Sequence, residues 1–445
     1  METATFETMR AVKENYHAVA MKIPGAHATS IGRKQVDGEF TDTIAICIHL
    51  TEKRPLDQIP EAERIPKEIQ GFPTDVREDS PPEFCAAVGG GAVEAQQRYA
   101  KVPGGAHIVA ANDLLWGKSG TLGCYVMDST DNKTVYGLTC AHVMGNYSKI
   151  FQPDNTNFCN LLGAPVRTNA DVDAGIFSLG SWLWDNNILQ IGAVAGTRTL
   201  GYSDFGKKVV KYGSTTGLTT GVINNTDYLS KVNIGNGISI ANTIIIVPET
   251  KGGVFGGSGD SGSAVVYQST ESGMEGNFVI GVLFAISTDS SNEVFVVPIN
   301  RILEKLKVSI VTGKNTQSDN DTLYGRVEAM LSWSARGKDY LNLYQKHFSS
   351  ILEMFSSNPR LHATWLKIPG ADFIGAVHAG LNNPDSKIPS TLGDMDTAVV
   401  LDTLHTALTG YAKTVDNLPE QLSSLTAALK ANIGKSWREA FAEGS

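Results

Sequence analysis

Short apolar runs separated by Gly, Asn, Asp and Ser dominate the middle of this 445-residue chain. From about Gly104 to Val311 the runs GTLGCYVMD, TVYGLTCAHV, AGIFSLG, GKKVVKYG, TTGVINN, ISIANTIIIV, GSAVVYQ, NFVIGVLFAIS and EVFVVPI follow one another with turn residues between them. Strands this short and frequent, closed by residues that accept positive φ, predict a β-sandwich or a pair of barrels. Upstream the pattern differs. One strand-like stretch, Thr43 to Leu50, lies among polar and Pro-rich connections such as RPLDQIPEAERIPKEIQGFPTD, which suits a small α/β module over residues 1–103. After residue 311 the run TGKNTQSDNDT has linker composition, placed at 312–322. Beyond it, Tyr340 to Phe355, Asp396 to Tyr411 and Leu418 to Ile433 carry apolar residues at intervals of three and four, predicting a helical bundle over 323–445.

Composition narrows the partners. A hydrophobic content of 42% supports several cores, and the length suits two to four domains. The net charge of −9 comes from mixed charges without a run of Lys or Arg, which argues against nucleic acid or an anionic membrane as a partner. No apolar stretch approaches the roughly 18 residues that would span a bilayer. The N-terminal METATFETMRAVKENYHAVAMKIPG has a helical pattern and no apolar core of a secretory signal, so an intracellular, cytoplasmic or nuclear, protein is expected. Five cysteines, Cys47, Cys85, Cys124, Cys140 and Cys159, form neither a CxxC pair nor a metal-ligand rhythm and read as reduced thiols, Cys140 as a small buried strand residue.

Three motifs inside the β-rich region carry chemistry: Leu138-Thr139-Cys140-Ala141-His142-Val143, Asp171-Val172-Asp173-Ala174-Gly175-Ile176, and Gly259-Asp260-Ser261-Gly262-Ser263. A serine hydroxyl needs a base to become a nucleophile, and an imidazole can take its proton and return it to a leaving amine. His142 suits that role; the other histidine of the region, His107, sits in a Gly-rich entry segment. A carboxylate must hold the imidazole in one tautomer. Asp173 is the candidate because small residues follow it, with Asp171 as its rival two positions away on what reads as the same strand face. Glycines around Ser261 allow a sharp turn that aims the amides of Gly259 and Ser261 at a developing oxyanion, and Asp260 would stiffen the loop. The chain order His, Asp, Ser is that of chymotrypsin-like peptidases, and differs from the orders of α/β-hydrolases and subtilisins.

On these motifs the region from about Gly120 to Leu303 resembles the trypsin-like peptidases, and more closely the intracellular group that includes the narrow-leaf trypsin-like proteins of plants and their microbial relatives. Gly213-Ser214-Thr215-Thr216-Gly217-Leu218-Thr219-Thr220-Gly221 is similar to that group's signature, as are Ser258 to Ser263 and Gly281-Val282-Leu283-Phe284-Ala285. Upstream, Ile31-Gly32-Arg33-Lys34, Lys53-Arg54-Pro55-Leu56, Glu63-Arg64-Ile65-Pro66 and Pro73-Thr74-Asp75-Val76 resemble its N-terminal module, so about two thirds of the chain is covered. The resemblance implies a chymotrypsin-like double β-barrel with the triad at the barrel interface, an intracellular setting and homo-oligomers. Ser263 stands where trypsin has Gly, Ile286 where glycine would open the specificity pocket, and Phe255 where trypsin keeps its pocket aspartate. A shallow apolar pocket bounded by Phe255, Phe284 and Ile286, taking small or medium residues, is the expectation.

The C-terminal helices lie outside the resemblance; recruitment of a partner protein, for example in an immunity or cell-death pathway, is one role such an appendage serves. Neither metal nor other cofactor is required by the chemistry. Val88 to Ala95, VGGGAVEA, lacks the spacing and the Lys-Ser/Thr of a phosphate loop and reads as a flexible connector. The reading that emerges is a regulated serine endopeptidase acting on protein substrates. Against it stand a catalytically silent scaffold that keeps the fold and a hydrolase of small esters.

Overall fold

The computed structural model describes residues 2–84, 91–99, 101–112, 116–156, 160–180, 182–230, 240–287, 289, 291–313, isolated positions between 338 and 383, 385–411 and 418–441. Two compact units are present. Residues 1–155 and 160–316 make the first, residues 156–159 and 317–445 the second.

In the first unit, six strands close on themselves: Lys208–Gly213, Gly217–Ser230, Thr243–Pro248, Val294–Pro298, Gly276–Ile286 and Ala264–Ser269, the last returning to the first. Their inward side chains, among them Ile223, Ile246, Val265, Leu283 and Val296, form one buried core. Closure leaves no strand edge within the ring, and alternation sends every second residue inward. Two smaller antiparallel sheets are built from preceding strands and one returning strand at the end of the region. One orders Leu161–Gly163, Lys149–Phe151, His107–Ala111 and Gly117–Thr121; the other orders Pro165–Asn169, Ala174–Phe177, Val135–Cys140, Cys124–Asp128 and Val308–Ile310. Ile108, Leu122, Tyr125, Ile150 and Phe177 pack between them as a second barrel core. The mostly β architecture is thus the chymotrypsin-like pair of barrels.

The N-terminal residues build onto the closed barrel. The helix Glu2–Ala20 buries Phe6, Met9 and Val12, spaced one helical turn apart, against Ile31, Ile46 and Ile48. Strand Ala26–Val36 pairs antiparallel with Glu39–Leu50 on one side and with Gly217–Ser230 on the other, Gly32 opposite Asn225. A Cβ on Gly32 would lie 2.3 Å from the Asn225 amide nitrogen, so glycine is what lets the two sheets join there. The helix-and-strand content expected for residues 1–103 is present, as a continuation of the barrel's own sheet.

The second unit contains the helices Thr397–Tyr411, Leu418–Ala431 and Trp437–Phe441, with Ile368, Leu392 and Val400 buried together. Two of the three helical patterns read from sequence correspond to these elements, and the third, 340–355, lies largely outside the described residues. Among the described residues no helix is long and apolar enough to cross a membrane. Cys47, Cys124 and Cys140 are buried and form no disulfide, and burial pushes the thiols of Cys47 and Cys124 up to about 11 and about 12. Cys85 and Cys159 lie outside the described residues.

Candidate active site

The strand Val135–Cys140 pairs with Ala174–Phe177 so that Cys140 faces Ala174. That register brings together the turn after one strand, Ala141–Met144, and the turn before the other, Ala170–Val172. His142 and Asp173 sit on these turns. Asp173 takes a left-handed conformation, φ 39°, which points its buried carboxylate back at the histidine. One oxygen accepts the backbone N–H of His142 at 2.8 Å, the other meets Nδ1 at 2.5 Å. A carboxylate only accepts, so Nδ1 carries the proton and Nε2 is left as an acceptor. Nε2 lies 2.9 Å from Ser261 Oγ.

Asp171, the rival carboxylate, is two-thirds exposed and pairs with Lys305 at 2.9 Å. The bond and charge of Lys305 hold it below the usual carboxylate range. The expected shared strand face does not exist: a 3-10 turn replaces strand at 170–172, which turns Asp171 out and Asp173 in.

Ser261 comes from the closed barrel, on the loop before Ala264–Ser269. Gly259 and Gly262 bracket it with φ of 99° and 98°, a region costly for any residue with a Cβ. At Gly262 a Cβ would meet Thr121 O at 2.2 Å. Thr121 of the other barrel and Ser214 of the closed barrel itself both grip this loop. Thr121 N donates to Ser261 O, Thr121 Oγ1 to Gly259 O, and Ser214 Oγ also to Gly259 O.

Asp260, fully buried, is the loop's anchor. Its carboxylate accepts the N–H groups of Gly257, Thr215 and Thr216 and the Thr216 hydroxyl, and it pairs with Lys211 Nζ at 3.0 Å, both side chains fully buried. An ion pair buried this deeply is costly to break, roughly 3–5 kcal/mol when one partner is removed. Lys211 was not anticipated from sequence; its signal was a lysine inside the apolar strand run Val209-Val210-Lys211-Tyr212. Thr215 and Thr216 of the Gly213 to Gly221 signature acquire a physical role here, as donors that clamp Asp260.

The three specificity candidates fall in different places. Phe284 is buried, and its carbonyl lies 3.4 Å from Ser261 Oγ. Ile286, half-buried, ends the same strand. Phe255 is wholly inside the closed barrel's core and bonds Thr219 Oγ1 through its carbonyl. Phe84 was missed altogether. Its ring stacks on His142 with centroids 4.5 Å apart, and Glu83–Phe84 pairs with Ala285 and Ile286.

His107 is held away from this site by Pro153 O at 2.6 Å. The part of the Gly-rich stretch within the described residues is tied down: Ala92 N donates to Ser214 O, and Ala95 O accepts from His107 N. Cys140 Sγ, His142 and Asp173 also lie within 4.8 Å of one another, a spacing that could suit a metal. The histidine nitrogens are already engaged, and Cys140 Sγ donates to Leu283 O at 3.3 Å, so these atoms are occupied by hydrogen bonds within the protein.

A Ser–His–Asp relay carried jointly by two barrels, with a glycine-bracketed serine, has the arrangement that serine endopeptidases use. Comparison with known proteins agrees: residues 111–314 match the model of peptidase family S64. No curated protein matches the chain. Solved structures similar to it include Thermobifida fusca Protease A, 18% identical over 48% of this chain and 100% of that one with a TM-score of 0.36. A Nocardiopsis protease is 16% identical over 48% and 100%, TM-score 0.34, and a Cellulomonas bogoriensis chymotrypsin 20% over 48% and 100%, TM-score 0.32.

Proposed function

We propose that the chain cleaves internal peptide bonds of protein substrates with Ser261 as nucleophile, His142 as general base and acid, and Asp173 as the group that orients the imidazole. The observation that carries this is the continuous relay from Asp173 through both nitrogens of His142 to Ser261 Oγ. Nε2 takes the hydroxyl proton as Oγ attacks the scissile carbonyl. The oxyanion forms beside the loop that Gly259 and Gly262 shape, where the amides of Gly259 and Ser261 are the proposed donors. Each such donor is worth on the order of 10²–10³ in rate. Collapse expels the amine, protonated by His142, and leaves an acyl-enzyme that water hydrolyses by the same relay in reverse.

The pocket is proposed to take small or medium apolar residues, with Phe284 and Ile286 as its near walls and Phe255 acting from the core behind them. An intracellular setting, control of access by the flanking segments and recruitment of a partner by the C-terminal helices complete the proposal. A silent scaffold is the second reading, and one observation favours it: Ser261 has 0% exposure.

A fluorophosphonate probe separates the two. Over hours, wild type is expected to be labelled and Ser261→Ala to stay unlabelled with a loss of peptide hydrolysis on the order of 10⁶. Folded wild type that resists the probe favours the scaffold or an inhibited zymogen, and labelling that appears only once the site is uncovered decides for the zymogen. Cleavage after Arg or Lys in a peptide library would overturn the pocket assignment.

A further inference from the structure

The strand Gly276–Ile286 passes the nucleophile, and at Ala285 and Ile286, immediately after Phe284, whose carbonyl faces Ser261 Oγ, it pairs with Val294–Pro298 on one side and runs beyond Ala264–Ser269 on the other. An extended peptide is recognised at such an edge by main-chain pairing, with its side chains sorted to alternate faces. In this chain the edge is already paired. Glu83–Phe84 runs antiparallel to it, Phe84 opposite Ala285 and Glu83 opposite Ile286. The Phe84 ring covers the His142 imidazole at 4.5 Å, nearly parallel to it, and stands edge-on to Phe284 at 6.4 Å. Beneath this cover Ser261 is fully buried and the His142 side chain is 6% exposed.

The segment is fixed by what precedes it. Asp79 N donates to Leu50 O, and the Asp79 carboxylate is held by His27 Nε2 at 3.0 Å and His49 Nδ1 at 2.5 Å. Ser80 N donates to Asp289 Oδ2 at 2.8 Å. Pro81 and Pro82 then allow little backbone freedom before Glu83. A tether this short and stiff gives Glu83–Phe84 an effective concentration at the edge on the order of mM or above.

We propose that Glu83–Phe84 is an intramolecular occupant of the peptide-binding edge beside Ser261, and that a protein substrate binds only when this segment leaves. The proposal rests on the peptidase reading given above. The segment competes with substrate for the same main-chain edge and the same face of His142, so its departure opens both together. A pair of peptide-like residues, anchored by the Asp79 clamp, does the blocking.

Two readouts on the full chain test it. Hydrogen exchange of the peptide backbone spanning Ala285 and Ile286 reports occupancy, and fluorophosphonate labelling reports reactivity. Phe84→Ala removes the ring, and Glu83→Pro, which keeps the ring and disrupts the pairing, guards against a variant that fails to fold. If the segment occupies the edge nine-tenths of the time, either variant raises labelling and the affinity of acetyl-Pro-Pro-Glu-Phe-amide for the Ser261→Ala protein about tenfold. Exchange accelerates with it at the amide of the Ala285–Ile286 pair that faces Glu83–Phe84, while the one facing Val294–Pro298 stays protected. Exchange, peptide affinity and labelling that all stay within twofold of wild type in folded variants overturn the proposal. Accelerated exchange in a protein that no fluorophosphonate labels leaves the occupant established and defeats the peptidase reading instead.

Discussion

Two Ser–His–Asp relays stand among the described residues, and they differ in the backbone that carries the serine. At the barrel junction Ser261 Oγ, His142 and Asp173 are linked at 2.9 and 2.5 Å. In the N-terminal sheet Ser30 Oγ lies 2.7 Å from His49 Nε2, and His49 Nδ1 lies 2.5 Å from Asp79. Residue types and distances nearly coincide. What differs is the backbone at the serine. Ser30 lies within a strand, opposite Cys47, where the amides serve the ladder and successive N–H groups point to opposite sides. Ser261 lies on a turn between two positive-φ glycines, the conformation that lets adjacent amides converge on one point. Ser30 also accepts from Asn225 Nδ2 at 2.7 Å, and both Ser30 and His49 are sealed beneath the sheet. Burial drives the His49 pKa down, whereas Asp79 stays below the carboxylate range because the charge of His49 and bonds from both histidines outweigh its own desolvation. The buried relay joins elements; the other sets a serine hydroxyl against a histidine nitrogen on a loop with converging amides, the geometry the proposed proton transfer needs.

The comparison is most severely tested at the carboxylates. Asp173→Asn should lower kcat about 10⁴-fold with the fold intact, since the amide can leave His142 in the wrong tautomer. Asp171→Asn should change kcat less than about twofold, because its carboxylate is a solvated partner of Lys305. Equal losses in the two variants, read from initial rates on a peptide substrate, would contradict the assignment of roles.

Ser30→Ala probes the other relay. His49 and Asn225 would each lose a buried partner, at about 1–3 kcal/mol. For a unit of this size each kcal/mol lowers the thermal midpoint by about 2–4 °C. Hydrolysis per folded molecule should remain within about twofold of wild type, the margin expected for a site that only supports structure. A loss of activity beyond that in folded Ser30→Ala protein would mean the buried relay acts on the cleft, with the Asp79 clamp as the route to check first.

How legible this was in the sequence follows from how local each feature is. The nucleophile loop, the histidine turn and the short strands are each set by a handful of adjacent residues, and their chain order specifies the arrangement of the relay. The small residues after Asp173 favour it over Asp171, but a strand and a 3-10 turn place residues two apart on the same or on different sides, and only the backbone at 170–173 chooses. Phe84 carried no local sign: Pro-Pro-Glu-Phe reads as a connection, and its contact with His142 depends on where the whole N-terminal sheet docks. The joining of that sheet to Gly217–Ser230 is equally non-local, with Gly32 the one position that hints at a close neighbour. Lys211 could have been singled out, since a lysine at an inward position of an apolar strand needs a buried acid.

The effect that tells the relays apart by pH belongs to Glu293. This buried glutamic acid lies near Arg77, Asp79 and Asp289, behind the buried relay, and burial pushes its pKa from 4.5 up to about 7 despite the opposing charge of Arg77. The unfolded chain releases this proton near 4.5 and the folded one keeps it to about 7, so between those values the folded state binds more protons. Its contribution to stability therefore falls as pH rises through that window and levels off above it. Glu293→Gln removes the titration. The midpoint difference between variant and wild type should be near zero at pH 4.5, grow in the variant's favour up to about pH 7 and stay constant beyond. A difference independent of pH would show that Glu293 is already ionised in the folded protein. The pH profile of kcat, set at the barrel junction, should be the same in both proteins, which would separate proton binding that holds the N-terminal sheet together from proton transfer that breaks a peptide bond.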